Sequence, residues 1–150
     1  MDNKTILRHY LSTLAFRATY ALQNTQTNFP DFSAGNGIRT PSEILLHINH
    51  CLICANEILN KNEFSHVMIE GWDNRISALF KNIKELDTTI TNIVNFNEKE
   101  LLMVFQGPIC DALNHIGQLM MLRRLSGDSL VGYEFDQEES IKIGKFNYDI

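Results

Sequence analysis

The sequence has no surplus of positive charge and no long apolar run. Lys and Arg number 13 against 18 Asp and Glu, for a formal net charge of −5, and the longest basic run is Arg123-Arg124. Nucleic-acid binding depends on excess Lys and Arg facing phosphates, so this balance argues against DNA or RNA as a partner. No stretch approaches the roughly 20 apolar residues that span a bilayer. We therefore expect neither a nucleic-acid nor a membrane partner.

Cysteine is also scarce, and the chain shows no signal-peptide core. Three cysteines are an odd number, which fits free thiols in a reducing compartment. The first four residues lead straight into an amphipathic pattern. We therefore expect a cytoplasmic protein. A chain of 150 residues with 44% hydrophobic and 21% charged residues suits a single soluble domain over residues 1–150.

Motifs for phosphate binding and for nucleophilic catalysis are missing as well. The segment Gly35-Asn36-Gly37 lacks the preceding strand and the lysine of a phosphate-binding loop. No serine or cysteine nucleophile motif occurs. The sequence therefore names no catalytic residue.

What the sequence does contain is helical periodicity. Apolar residues recur at helical spacing in four stretches, which predicts helices over about residues 4–24, 41–60, 72–93 and 108–126. Thr40 and Glu43 form a capping box at the start of the second helix, with Pro41 in its first turn. Pro108 is predicted in the first turn of the fourth helix, and Gly127 suits a left-handed position after its end.

Four helices of about 30 Å, each with one apolar face, are most simply buried as an all-α four-helix bundle. The polar, glycine-containing loop at residues 28–37 is long enough to connect opposite ends of the bundle, so we expect the long crossover there. Residues 128–150 lack helical period. Because Val131, Tyr133 and Phe135 alternate, we predict an extended tail along the bundle edge. A lid over a pocket is the alternative.

The fourth helix carries a candidate pair of metal ligands. Asp111 and His115 are one turn apart at the edge of the apolar face, and Gln118 lies within the same arc. A carboxylate and an imidazole at i and i+4 can bind one metal ion, because their tips meet over the same turn. The alternative interpretation is an Asp–His hydrogen bond on a helix surface.

The second helix offers one further ligand. His47 lies at the border of its apolar stripe, where a histidine is either a packing residue or a ligand. Helical bundles build metal sites from inward side chains on facing helices. His47 is therefore the candidate partner of the pair on the fourth helix.

A competing cluster lies on the second helix alone. His47, His50, Cys51 and Cys54 share an arc of about 100°, and the two cysteines have the spacing of a redox or zinc motif. Reactive cysteine pairs usually lie at a helix N-terminus, and one straight helix cannot surround an ion tetrahedrally. We therefore favour packing cysteines over a redox or zinc sensor. His50 and Cys51 are expected to lie beside the metal.

Two runs resemble DinB-like proteins. Residues 106–127, QGPICDALNHIGQLMMLRRLSG, resemble the last bundle helix of that family, in which a ligand, three spacers and a histidine precede Gly-Gln and a basic, Leu-rich end. Residues 40–48, TPSEILLHI, resemble the second helix, whose histidine is a ligand. The resemblance covers about residues 40–132, while the first helix and the tail match only in pattern.

This resemblance implies a four-helix bundle with a long crossover, a homodimer, and three metal ligands meeting at one end. By position, those ligands are His47, Asp111 and His115. The family more commonly has histidine where Asp111 stands. Two histidines and a carboxylate leave open positions and accept Zn, Ni, Mn or Fe(II).

Relatives in the wider superfamily include thiol-dependent transferases and isomerases, which use the metal to activate a low-molecular-weight thiol. The resemblance therefore implies a metal-dependent enzyme acting on a small molecule, either a thiol-dependent S-transferase or a hydrolase. Gln118 and Arg123 are candidate contacts to the ligands or the substrate. The alternative is a non-catalytic dimeric bundle with a vestigial or structural metal site.

Overall fold

The computed structural model describes residues 2–95, 97–128, 132 and 138–148, and this part of the chain is helical without any strand. The helices are α1 (Asn3–Leu22), α2 (Pro41–Asn60), α3 (Trp72–Asn92), α4 (Glu98–Val104) and α5 (Cys110–Leu125). A π-helical turn, Phe105–Ile109, joins α4 to α5 with right-handed helical backbone at both junctions. Residues 98–125 therefore form the fourth helical segment of the bundle. The predicted all-α four-helix bundle is confirmed.

The start of α2 is the one that the sequence predicted. Thr40 Oγ1 accepts a hydrogen bond from the Glu43 amide at 3.3 Å, and Glu43 Oε2 accepts one from the Thr40 amide at 2.7 Å. This capping box satisfies amides that have no partner within the helix. It fixes the point at which α2 begins, six residues before His47.

The predicted start of the fourth helix is wrong. The helical segment begins at Glu98, and the Asn97 side chain caps it by accepting from the Lys99 amide. Pro108 lies inside the segment, in the π-helical turn, instead of in a first turn. Proline lacks an N–H and crowds the carbonyl four residues earlier, and a widened turn accommodates both defects.

Polar contacts between helices show their directions. Arg8, near the start of α1, binds Asp87, near the end of α3, so these two helices are antiparallel. Three contacts between α2 and α3 keep the same offset of residue numbers along both helices, which makes them parallel; they are Ser42–Arg75, Asn49–Asn82 and Asn56–Thr89. The start of α2 therefore lies at the same end of the bundle as the end of α1.

Parallel neighbours need a long connection, and residues 61–71 provide it. Their backbone runs back along α2: the Ser65 amide donates to Glu57, His50 contacts the Val67 carbonyl, and Arg75 donates to the Ile69 carbonyl. An extended segment of this length reaches about 36 Å, which is enough to return along a helix of about 30 Å. The crossover predicted at residues 28–37 is therefore misplaced, since that loop connects α1 and α2 at one end.

Each helix of the bundle packs mainly against two others. Both α1 and α2 pack against α3 and α5, so α1 and α2 occupy opposite corners. Aliphatic side chains from all four corners fill the centre, among them Leu11, Leu14, Ile48, Leu52, Ile83, Leu86, Ile116 and Leu119. The groove between α2 and α5 is one of the four sides of this core.

The described part of the tail, residues 138–148, packs against α1. The Tyr148 ring meets Phe16 edge to face, and its hydroxyl donates to the Ser12 carbonyl. The alternating Val131, Tyr133 and Phe135 lie outside the described residues. Within the described part of the chain, no helix is long and apolar enough to cross a membrane.

Candidate metal centre

Two antiparallel helices position the candidate ligands. His47 lies about two turns into α2, and Asp111 and His115 lie in the first two turns of α5. The neighbouring Ile48 and Ile116 are buried in the core and fix the rotation of both helices. The three polar side chains therefore meet at the edge of the core, in the groove between α2 and α5.

We refer to His47, Asp111 and His115 as the triad. One ligand atom from each residue lies within 4.8 Å of the other two. His47 Nε2 is 3.3 Å and His115 Nε2 is 3.8 Å from the same carboxylate oxygen, Asp111 Oδ2. The imidazole rings are perpendicular, with centroids 4.6 Å apart. The structure thus brings together all three ligands predicted from the sequence.

Gln118 orients His115. Its side-chain oxygen lies 2.7 Å from His115 Nδ1, and an amide oxygen can only accept, so Nδ1 carries the proton. His115 Nε2 is the ring nitrogen that faces Asp111. Fixing the tautomer through the far ring nitrogen is a common feature of metal-ligating histidines. Gln118, predicted as a contact to the ligands or the substrate, therefore touches a candidate ligand.

The spacing of the triad is compatible both with a hydrogen bond between His47 and Asp111 at 3.3 Å and with a shared ion. Charge-assisted N–H···O bonds are about 2.7–2.9 Å long, shorter than either contact to Asp111. Nitrogen and oxygen ligands around one tetrahedral zinc lie about 3.3 Å apart. An ion pair without metal would contribute little here, because side-chain exposures of 35% for His47 and 51% for Asp111 leave it screened by water.

The triad is closed toward the core and open toward solvent. The His115 side chain is only 13% exposed, while half of the Asp111 side chain is accessible. A small molecule can therefore approach the ligand atoms from the outside, along the α2–α5 groove.

Cys51 contacts the triad from the core side. Its sulfur lies 3.6 Å from His47 Nε2 and 3.8 Å from Asp111 Oδ2, and the residue is buried. Burial, followed by the Asp111 charge, raises the pKa of the Cys51 thiol to about 12. The sequence placed Cys51 beside the metal because it follows His47 by one turn, but the helix spacing alone could not show contact with Asp111.

Cys54 does not pair with Cys51. All three cysteines are free. Burial raises the pKa of Cys54 as well as that of Cys51. Reactive cysteine pairs depend on a lowered pKa. The arrangement therefore gives no support to the redox-sensor alternative.

The structure places His50 away from the triad. His50 Nε2 lies 3.0 Å from the Val67 carbonyl, and its ring faces that of His66. The residue thus fastens the crossover segment to α2. This differs from the predicted position beside the metal, because the crossover occupies that side of α2.

Arg123 also lies away from the triad. Its guanidinium is buried, donates to the carbonyls of Ala21 and Gln23 at the end of α1, and pairs with Asp128 at 3.3 Å. The side chain satisfies carbonyls that have no partner within α1. The structure therefore does not bring Arg123 to the triad, where it was predicted to contact the ligands or the substrate.

A separate cavity lies on another side of the bundle. It has a volume of about 490 Å³ and is formed by α2, the crossover and α3, with Ile53, Asn56, Val67 and Asn82 among its lining residues. None of the triad residues lines it. The triad is reached from solvent through the α2–α5 groove instead.

Comparisons of the chain with models of protein families, with curated proteins and with solved structures found no match.

Proposed function

We propose that the chain is a DinB-like metalloprotein in which His47, Asp111 and His115 hold one divalent ion. The observation that carries this proposal is the convergence of three ligand atoms, from two helices, within 4.8 Å of one another. The four-helix bundle with a long crossover agrees with the architecture that the resemblance implies. Two imidazoles and a carboxylate suit Zn, Ni, Mn or Fe(II).

We further propose that the protein is a metal-dependent enzyme acting on a small molecule, either a thiol-dependent S-transferase or a hydrolase. A divalent ion supplies Lewis-acid chemistry at such a site, by lowering the pKa of a water or a low-molecular-weight thiol that binds it. Gln118 keeps the His115 Nε2 lone pair available. The exposed side of Asp111 leaves room for the substrate. A cytoplasmic location, which the three free cysteines favour, and a homodimeric assembly complete the proposal.

Elemental analysis of protein purified without chelator tests the metal site. We expect close to one divalent ion per chain in the native protein and loss of that ion in His47→Ala, Asp111→Asn and His115→Ala. His9→Ala and Asp31→Asn are matched controls, because both residues are exposed and lie outside the triad. They should keep the full metal content. Full metal content in the triad variants, or none in the native protein after incubation with each ion, would contradict the proposal.

A second candidate function is a non-catalytic bundle clamped by its metal. It is favoured by the position of the triad, which bridges α2 and α5. A screen of small thiols and their acceptors with the metal-loaded protein distinguishes the enzyme from the non-catalytic bundle. Turnover that Asp111→Asn abolishes supports the enzyme. Metal-dependent thermal stability without turnover supports the clamp.

A further inference from the structure

The position of Cys51 places a sulfur on the closed side of the triad. Cys51 follows His47 by one helical turn and points into the same α2–α5 groove. Its sulfur is the atom that meets both His47 and Asp111 from the core side, opposite the solvent-exposed edge of the carboxylate. Buried cysteine usually behaves as a small apolar residue, yet this sulfur lies against two candidate ligands.

The distances from the Cys51 sulfur to His47 and Asp111 match those expected around one tetrahedral ion. Cys51 lies outside the group of ligand atoms that are all within 4.8 Å of one another, so ligation would bring its sulfur toward His115. With a Zn–S bond of about 2.3 Å and Zn–N or Zn–O bonds of about 2.0–2.1 Å, sulfur lies about 3.6 Å from each neighbouring nitrogen or oxygen ligand. The sulfur of Cys51 is 3.6 Å from His47 Nε2 and 3.8 Å from Asp111 Oδ2. His47 and Asp111 themselves are 3.3 Å apart, also close to a tetrahedral spacing.

We propose that Cys51 is a fourth protein ligand of the triad and makes the site selective for thiophilic divalent ions such as Zn²⁺ over Mn²⁺. This inference rests on the proposed metal site. It goes beyond it by adding a sulfur donor from α2, which soft and borderline ions prefer and Mn²⁺ does not.

Ligation replaces the S–H bond of Cys51 with a sulfur–metal bond, and the proton leaves to solvent. No electron is transferred. With four protein ligands in place the coordination shell is that of a stabilising zinc site, whereas release of Cys51 opens one position to a water or an external thiol. Cys51 is therefore the residue that decides between the two candidate functions.

Titration with Co²⁺ tests the inference, because a thiolate ligand gives cobalt a near-ultraviolet charge-transfer band that histidine and carboxylate ligands do not give. We expect this band in the native protein, together with a visible spectrum of tetrahedral Co²⁺. In Cys51→Ser the band should vanish while cobalt still binds. Cys54→Ser and Cys110→Ser are matched controls that should keep it.

Affinities supply a second readout. Loss of a residue that only supports a ligand already weakens metal binding about 10–100-fold. We therefore expect Cys51→Ser to weaken Zn²⁺ binding at least about tenfold and to leave Mn²⁺ binding unchanged.

The outcomes that would overturn the inference are distinct from failure of the metal site itself. Cobalt bound to native protein without a charge-transfer band would remove Cys51 from the shell and leave the triad intact. The band persisting in Cys51→Ser would do the same. If native protein binds no cobalt, zinc or manganese, both the inference and the proposed metal site are wrong. The native spectrum decides the point even if Cys51→Ser folds poorly.

Discussion

Helix α2 carries one set of polar residues facing α3 and another facing α5. The two sets differ in the lengths of their hydrogen bonds and polar contacts. Toward α3, Asn49 Oδ1 accepts from Asn82 at 2.8 Å and Asn56 Oδ1 accepts from Thr89 at 2.6 Å. Toward α5, His47 and His115 approach Asp111 only to 3.3 and 3.8 Å. The first set, with Ser42–Arg75, is called the α2–α3 ladder below.

The two sets also differ in burial. Asn49 is fully buried, and its amide also donates to the carbonyls of Leu45 and Arg75. Both polar atoms of its side chain are therefore bonded within the protein, as buried polar groups require. The side chains of His47 and Asp111 are 35% and 51% exposed, and one ligand atom of each triad residue lies within 4.8 Å of the other two. The ladder sets the parallel register of α2 and α3, whereas the triad lies at the solvent-exposed edge of the α2–α5 groove.

Removing Asn49 should have the largest effect on stability and none on metal binding. Asn49→Ala removes the acceptor of the Asn82 amide and a donor to the Arg75 carbonyl and leaves a cavity, which together cost about 2–4 kcal/mol. Chemical denaturation should show that loss, while the folded fraction still binds one ion. Asn60→Ala, at the exposed end of the same helix, is the control and should change stability by less than about 0.5 kcal/mol. Equal stability of the two variants would contradict the structural role of the ladder.

Metal addition should stabilise the bundle through the triad. Ligand that binds only the folded state at 100 times its Kd stabilises by about 2.7 kcal/mol, so Zn²⁺ should raise the melting temperature. Asp111→Asn should fold as well as the native protein, because the side chain is half exposed, but its melting temperature should not respond to zinc. A full zinc response in Asp111→Asn would place the ion elsewhere.

The smallest expected effect is on the pH dependence of stability, through the capping box at the start of α2. This helix carries residues of both the α2–α3 ladder and the triad. Hydrogen bonds from Thr40 lower the pKa of Glu43 below its ordinary value of 4.5. Because the folded pKa is lowered, the ionised carboxylate contributes stability above the ordinary pKa, and that contribution is lost as pH falls through the folded pKa. Melting temperatures between pH 3 and 6 should therefore fall slightly less steeply for Glu43→Ala than for the native protein. Identical slopes would show that the capping carboxylate is not linked to folding.

Much of the fold was predictable because local signals determine helix ends. Thr40, Pro41 and Glu43 correctly predicted the start of α2. The start of the fourth helical segment was missed because Pro108 resembles a first-turn proline. The true signal was Asn97, followed by Glu98 and Glu100 in the first turn, where acidic residues oppose the helix dipole favourably.

Helix direction was not predictable from periodicity. An apolar stripe looks the same in a parallel and an antiparallel neighbour, so the longer loop was interpreted as the crossover. The informative residues were the polar ones at the α2–α3 interface, since their three pairs keep a constant offset along both helices only when the helices are parallel. For the same reason, the sequence could propose His47 and Asp111 as ligands, but only the packing of α2 on α5 could bring them to 3.3 Å.

The most direct test of a shared ion at the triad is anomalous diffraction at the zinc edge from crystals grown with Zn²⁺. A shared ion at the triad predicts one strong peak in the α2–α5 groove, about 2.0–2.3 Å from ligand atoms of His47, Asp111 and His115. A peak at other residues, or a groove without a peak at saturating zinc, would contradict it.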